Sequence, residues 1–372
     1  MIAPKAFLEF LSKHGITSFF GVPDSLLAEF CRELALSSCD HVITANEGNA
    51  VAMAIGHFLG TGRHAAVYMQ NSGLGNATNP LVSLAAPEIY RVGMLLIIGW
   101  RGEPGQKDEP QHLLQGQISE EMLKTMRIPY AVLASDSDLE QTVLPVIKQL
   151  SNGPAALLVR KNSFSGSTTT SDSCKNSRLP TREHFLELLL QNLGKKALLV
   201  STTGKTSREL FELRASRNEP QRDFLTVGGM GHTLSIALEL ARTQPERTVI
   251  CLDGDGSMLM HMGSLAITGC NCKPANLIYI LLNNGVHESV GGQPTIARFI
   301  NTEKLATALN FTEFLRAGNE IEISTTLKHL NSFSGPVFFE VMLEPGSRAD
   351  LGRPTTTPEE NKHQMMRFIN DD

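Results

Sequence analysis

The chain has 372 residues, a length suited to two domains of ordinary size. A hydrophobic share of 41%, a charged share of 19% and 31 glycines describe a folded, turn-rich α/β protein and exclude a disordered one. The net charge of −5, with no basic run, gives no electrostatic reason to expect nucleic acid as a partner. No apolar run reaches the length of a membrane span, and the opening MIAPKAFLEF lacks a signal-peptide layout. Cys31, Cys39, Cys174, Cys251, Cys270 and Cys272 have no zinc-like spacing, so free or buried thiols in a reducing cytoplasm are expected.

Residues 4–15 read as an amphipathic helix, followed by a short strand at 18–22. Pro23-Asp24-Ser25 then supplies a turn and a helix cap. A second strand, 41–45, leads to Glu47 at the mouth of a helix rich in Ala and Gly. On its own, Glu47 reads as a first-turn acid complementing the helix dipole. The strand 65–70 enters Asn71-Ser72-Gly73-Leu74-Gly75, a Gly-rich strand-to-helix turn of the kind that lets backbone approach an anion. The apolar strand 94–99 runs into a polar loop from Trp100 to His112 that carries Arg101 and Lys107. Strand ends are where α/β proteins place their sites.

Strand 155–160 closes the first half, and the Ser/Thr-rich stretch 163–177 reads as an exposed linker. Strand 197–201 ends in Thr202-Thr203-Gly204-Lys205-Thr206. This GKT invites a P-loop reading, but position 199, where the first glycine of that motif belongs, is Leu199. Strand 225–227 ends in Gly228-Gly229-Met230-Gly231. A β-rich run, 248–252, then reaches Gly254-Asp255-Gly256-Ser257, and a further strand, 275–282, reaches Asn283-Asn284. Two parallel strands joined by a crossover helix leave their carboxyl ends on one sheet edge, which draws Asp255 and Asn284 together. A carboxylate, an amide oxygen and a main-chain carbonyl are hard oxygen ligands of the sort Mg²⁺ or Ca²⁺ takes. The glycines admit a phosphate, and Ser257 opens a helix whose amino end favours anions. Residues 303–331 read as helical or mixed, 336–343 as a last strand, and the tail from Gly346 as polar and partly ordered at a subunit surface.

GDG followed after roughly twenty-five residues by NN, within a βαβ frame, resembles the motif of the thiamine diphosphate (ThDP)-dependent decarboxylases. GVPDSLL, ANEGNAVA, MQNSGLGN and the 99–116 loop extend the likeness over residues 16–116, and it resumes from Thr202. The resemblance implies an α/β fold of two ThDP-binding domains, each a parallel sheet flanked by helices, with no central domain. A pyrimidine-binding domain would span 1–165, a linker 166–180 and a diphosphate-binding domain 181–372. It further implies ThDP and Mg²⁺ as cofactors and a homodimer or higher homo-oligomer, with sites between subunits.

Residue by residue, the resemblance gives Glu47 the bond to the pyrimidine nitrogen, with Asp24 and His112 as further catalytic candidates. Asn71, Ser72 and Gly73 would line the pyrimidine. Gly228 and Met230 would hold the bent cofactor, with Gly231 beside them, and Thr203, Gly256 and Ser257 would lie at the diphosphate. Asp255, Asn284 and the Val286 carbonyl would ligate the metal. Arg101, Lys107 and His287 would face the substrate, a 2-oxo acid with a second anionic head. A phosphonate is the expected head and a sulfonate the alternative, because both present three oxygens to the same cations. A carboligase is disfavoured by the missing middle domain, and a non-catalytic ThDP-binding protein by the presence of Glu47.

Overall fold

The computed structural model describes residues 1–166 and 179–371, so most of the expected linker, and Cys174 with it, lies outside the described residues. The described chain forms two compact units, one of residues 1–166 with 289–293 and the other of 179–288 with 294–371. Each is built on a six-stranded sheet whose pairings are all parallel.

In the first unit the strands are β1 (Ser18–Gly21), β2 (Asp40–Ile43), β3 (Ala65–Gln70), β4 (Met94–Gly99), β5 (Tyr130–Leu133) and β6 (Ala155–Val159). They lie in the order β2-β1-β3-β4-β6-β5. The central strand β4 is buried along its whole length. Its residues alternate between two cores: Leu95 and Ile97 pack on one face, Met94, Leu96 and Ile98 on the other. Period-2 alternation with both sets apolar marks a strand covered by helices on both faces. The helices that matter for the site are α1 (Pro4–Lys13), α2 (Ala28–Leu36), α3 (Glu47–Thr61), α4 (Leu74–Pro80) and α5 (Pro110–Thr125). Helix α3 has clean ends: the Asn46 side chain accepts from the Asn49 N–H, and Gly62, at φ 70°, closes it with an N–H to the Phe58 carbonyl.

The second unit contains α6 (Arg182–Asn192), β7 (Leu198–Ser201), α7 (Lys205–Ser216), β8 (Phe224–Leu225), α8 (Thr233–Thr243), β9 (Val249–Gly254) and α9 (Asp255–Met260). Strands β10 (Leu277–Asn283), β11 (Glu313–Ala317) and β12 (Val337–Met342) follow, and the sheet order is β11-β12-β10-β9-β7-β8. Strand β10 repeats the plan of β4, with Ile278, Ile280 and Leu282 on one face and Leu277, Tyr279 and Leu281 on the other. Register pairs Leu282 with Gly254, so β9 and β10 end side by side.

The stretch 303–331, expected to be helical or mixed, is mixed: a helix, strand β11 and another helix. Strand β11 is only partly buried, which hid its alternation. The tail is more ordered than its polarity suggested. It carries α10 (Pro358–Asn370), started by a reciprocal Thr357–Glu360 capping box. Asn361 docks it to the sheet edge, accepting from the Leu225 N–H at 3.0 Å and donating to the Asp223 carbonyl at 2.9 Å. No helix among the described residues is long and apolar enough to cross a membrane, and the five described cysteines are free.

Candidate active site

In the first unit the polar residues gather at the carboxyl ends of β1 to β4. Glu47 is the first residue of α3, directly after the cap, and only 5% of it is exposed. Its Oε2 accepts one hydrogen bond from the Asn76 amide, at 2.8 Å. Burial pushes its pKa above the ordinary glutamate value, and that bond only partly opposes the rise. A Cβ added to Gly73 would stand 2.5 Å from Glu47 Cγ and 2.6 Å from Oε1, so the turn after β3 must be glycine for the carboxyl to lie there. Asn71 ties neighbouring strand ends: its amide donates to the Arg101 carbonyl at 2.8 Å and to Ser119 Oγ at 2.9 Å. Ser72 accepts from the Gln70 amide at 2.7 Å.

Asp24 is fully buried in the loop after β1. Its Oδ2 accepts from the Leu26 N–H at 3.0 Å, whereas its Oδ1 has no hydrogen-bond partner. Burial drives its pKa up to about 6, against the pull of the Arg101 charge and nearby backbone N–H groups. A Cβ on Gly99 would collide with Asp24 Oδ2 at 2.0 Å, so the end of β4 is open for this carboxyl alone.

Arg101 was expected to meet an anionic head group, but its fork is committed within the chain. Nε and Nη2 donate to the two oxygens of Asp108, at 2.8 and 2.5 Å, and Nη1 donates to Ser25 Oγ at 2.9 Å. Any substrate anion would compete with a bidentate carboxylate. Lys107 is exposed on the same loop, and His112 is half-buried in the first turn of α5. Sequence reasoning missed Asp108. The spacing Arg101 to Asp108 has no periodicity to announce a pair; only the turn of the loop brings them together.

The second unit gathers its candidates at the carboxyl ends of β7, β8, β9 and β10. Thr203 donates to the Val227 carbonyl at 2.8 Å. Gly228 and Met230 are partly exposed beyond β8, and Gly231 is buried at φ 89°, a conformation suited to glycine. The Gly231 N–H donates to Ser257 Oγ at 3.0 Å, and Thr202 Oγ1 donates to the same hydroxyl at 3.2 Å. A Cβ on Gly256 would meet His287 Nδ1 at 2.9 Å and Met230 Cε at 3.4 Å, so the loops carrying Met230 and His287 converge over that glycine. Burial lowers the His287 pKa to about 4, which keeps its imidazole neutral near pH 7.

Asp255 opens α9 and is 4% exposed. Its Oδ2 accepts from Thr295 Oγ1 at 2.5 Å. Burial raises its pKa, while Thr295 and the N–H groups of Gly256 and Gly285 pull it down. Asn284 Oδ1 accepts from the Val286 N–H at 3.1 Å, and its Nδ2 donates to Glu288 Oε2 at 2.7 Å. Asp255 accepts from the Gly285 N–H and Asn284 from the Val286 N–H, so Asp255, Asn284 and Val286 meet at the turn around Gly285, which stands at φ 73°. The set is all hard oxygen with a single negative charge, and it fits Mg²⁺ that also carries phosphate oxygens. Among the described residues there is no cluster of three or more His, Cys, Asp or Glu that could hold a metal. A site with one carboxylate would not form such a cluster. Beneath it lies Asp253, overlooked in the sequence because it precedes the motif; it is fully buried, accepts from the Tyr279 hydroxyl at 3.3 Å, and burial lifts its pKa to about 6.

Two family models match this chain: the thiamine pyrophosphate enzyme N-terminal TPP-binding domain over residues 1–123, and the corresponding C-terminal TPP-binding domain over residues 202–341. The chain belongs to the thiamine pyrophosphate enzyme family. Among its relatives is a phosphonopyruvate decarboxylase of Streptomyces hygroscopicus, 35% identical, with 99% of this chain and 94% of the relative aligned. Another, a phosphonopyruvate decarboxylase of Streptomyces viridochromogenes, is 35% identical with 95% and 92% aligned. A sulfopyruvate decarboxylase of Methanosarcina acetivorans is 25% identical, with 85% of each chain aligned.

Proposed function

We propose that this chain is a ThDP- and Mg²⁺-dependent decarboxylase that converts 3-phosphonopyruvate to phosphonoacetaldehyde and CO₂, as a step of phosphonate biosynthesis. The observation that carries the substrate is the 35% identity, over nearly the full length of both chains, to two phosphonopyruvate decarboxylases. Bound ThDP supplies the electron sink that takes up the pair left behind when CO₂ departs.

The chain's own residues would hold the reactants and move protons. Glu47, a buried acid with one side-chain donor, would exchange a proton with the pyrimidine nitrogen, which its raised pKa favours. Asn71, Ser72 and Gly73 would line the pyrimidine. Gly228 and Met230, with Gly231, would contact the bound cofactor and hold its conformation. Thr203, Gly256 and Ser257 would hold the diphosphate, and Asp255, Asn284 and Val286 the metal. Asp24, with a pKa near 6, is suited to deliver the proton that replaces the carboxylate on the product carbon. His112 is the second candidate for that transfer. Lys107 and the neutral His287 would meet the substrate's head, and Arg101 would join them only by exchanging its bonds to Asp108 and Ser25.

The reading extends to a homodimer or higher homo-oligomer in a reducing cytoplasm, with a pyrimidine half in residues 1–165, a linker at 166–180 and a diphosphate half in 181–372. A fully active monomer in sedimentation would count against it.

Sulfopyruvate is the second reading, favoured by the 25% identical relative that aligns over 85% of each chain. Release of CO₂ from each acid by the purified protein, side by side, tests both. Faster turnover of phosphonopyruvate is the expected result. Preference for sulfopyruvate would replace the substrate, and silence on both would remove the decarboxylase reading.

A further inference from the structure

Four charged side chains outside the expected cofactor residues form a network behind the metal loop. Arg182, at the start of α6, donates Nε and Nη2 to the two oxygens of Glu209 at 2.7 and 2.8 Å. Its Nη1 and Nη2 also reach Glu288, at 2.9 and 3.3 Å. Lys205, the first residue of α7, lies 3.0 Å from the other side of the Glu288 carboxylate. The side chains of Arg182, Glu209 and Glu288 are 7%, 1% and 11% exposed and that of Lys205 is 28% exposed, and over the four the signs balance. A buried pair of this kind is a poor source of net stability compared with apolar packing, which raises the question of what Glu288 does there.

Its remaining contact answers that. Glu288 Oε2 accepts from Asn284 Nδ2 at 2.7 Å. An ionised carboxylate only accepts, so it selects the amide nitrogen and forces Asn284 Oδ1 to the opposite side. That side is the one where Oδ1 meets the Val286 N–H, within the loop whose oxygens suit a cation. The loop is clamped from its other face by Arg298, whose Nη2 donates to the Asn284 carbonyl at 2.8 Å. Arg298 packs so closely on Gly285 that a Cβ there would stand 2.4 Å from its Nε.

We infer that Glu288, gripped by Arg182 and Lys205, is a positioning residue that locks the Asn284 amide with its oxygen toward the metal, so that α6 and α7 set the metal affinity of the loop. The inference rests on the metal reading of Asp255, Asn284 and Val286. The Glu288 carboxylate is occupied by two cations and an amide.

The test separates orientation from folding. In a Lys205→Met background, Glu288→Met removes the acceptor while leaving the Arg182–Glu209 pair balanced, and Glu288→Gln retains one acceptor oxygen. Calorimetric Mg²⁺ affinity in saturating ThDP should fall about 10- to 100-fold for Glu288→Met relative to Lys205→Met alone. It should stay within about threefold for Glu288→Gln, by the same reasoning. Melting temperatures of the metal-free proteins should remain alike. Equal metal affinity in all three, or equal loss for Met and Gln, overturns the inference.

A symmetric ligand gives a second arm. Asn284→Asp carries an oxygen on both sides and needs no partner to orient it, so in that background Glu288→Met should no longer cost Mg²⁺ affinity. A loss as large as in the Asn284 protein also overturns the inference. Asp255→Ala distinguishes the two levels. If it leaves Mg²⁺ binding intact, the metal site itself is misassigned. If it abolishes binding while Glu288→Met leaves the affinity of the Lys205→Met protein unchanged, the positioning role alone fails.

Discussion

Glu47 and Asp255 both stand at the start of a helix after a parallel strand, and they are buried alike, at 5% and 4% exposure. Burial raises the pKa of both. Their surroundings differ. Glu47 has one side-chain donor, Asn76, and leans on the bare backbone of Gly73. Asp255 receives the Thr295 hydroxyl and the N–H groups of Gly256 and Gly285, and the oxygens of Asn284 and Val286 belong to the adjoining loop. On the proposed reading, the supply of donors separates two equally buried acids: the sparsely bonded Glu47 suits proton exchange, and the better-bonded Asp255 suits holding a cation.

The sharpest way to break that comparison is Glu47→Gln. The amide preserves shape and the bond to the Asn76 region but cannot exchange a proton. The kcat for CO₂ release should fall about 10²- to 10⁴-fold. ThDP affinity by calorimetry should change far less, because the diphosphate and metal contacts lie on other residues. A kcat within threefold of the parent would take the proton role away from Glu47.

How much of this was legible beforehand follows the range of each signal. Strands β3 and β4 were readable to the residue, because a fully buried strand is written as an unbroken apolar run. Helix α10 was not: its buried face is narrow, with Asn361 and Met365 buried, and its anchor is an amide bonded to main chain across 136 and 138 residues. At the site, motif residues such as Asp255 and Asn284 carry their own spacing. Asp108 and Glu288 act through partners that loops bring to them, and no periodicity records such pairings. Asp253 was passed over because a buried carboxylate inside an apolar strand has the same spelling as a strand end.

Asp24 offers the next largest effect and tests whether sparse donors really cost stability. Its pKa rises from 3.8 to about 6 on folding. Between those pH values the folded protein keeps a proton that the unfolded chain has lost. Stability from this group is therefore present below pH 3.8, falls as pH rises toward 6, and is flat above. The full penalty for ionising it is roughly 3 kcal/mol. Asp24→Asn should raise the melting temperature at pH 8 and leave it nearly unchanged at pH 4, with decarboxylation impaired at both. A variant no more stable than the parent at pH 8 would show that Asp24 is better solvated than its missing Oδ1 bond implies.

Gly73→Ala should have the smallest free-energy effect and is the most direct probe of geometry. The new methyl would lie 2.5 Å from Glu47 Cγ, and the side chain, not the backbone, must give way. Glu47 then swings off the Asn76 bond, and its carboxyl moves by a large fraction of an ångström. Displacement on that scale costs on the order of 10- to 10²-fold in kcat. Stability should stay close to the parent, since a flexible side chain absorbs the clash. Metal affinity at the Asp255 loop should be untouched, because that loop belongs to the other sheet. If Gly73→Ala instead weakened Mg²⁺ binding and spared kcat, the division of labour between the two carboxylates would be the wrong way round.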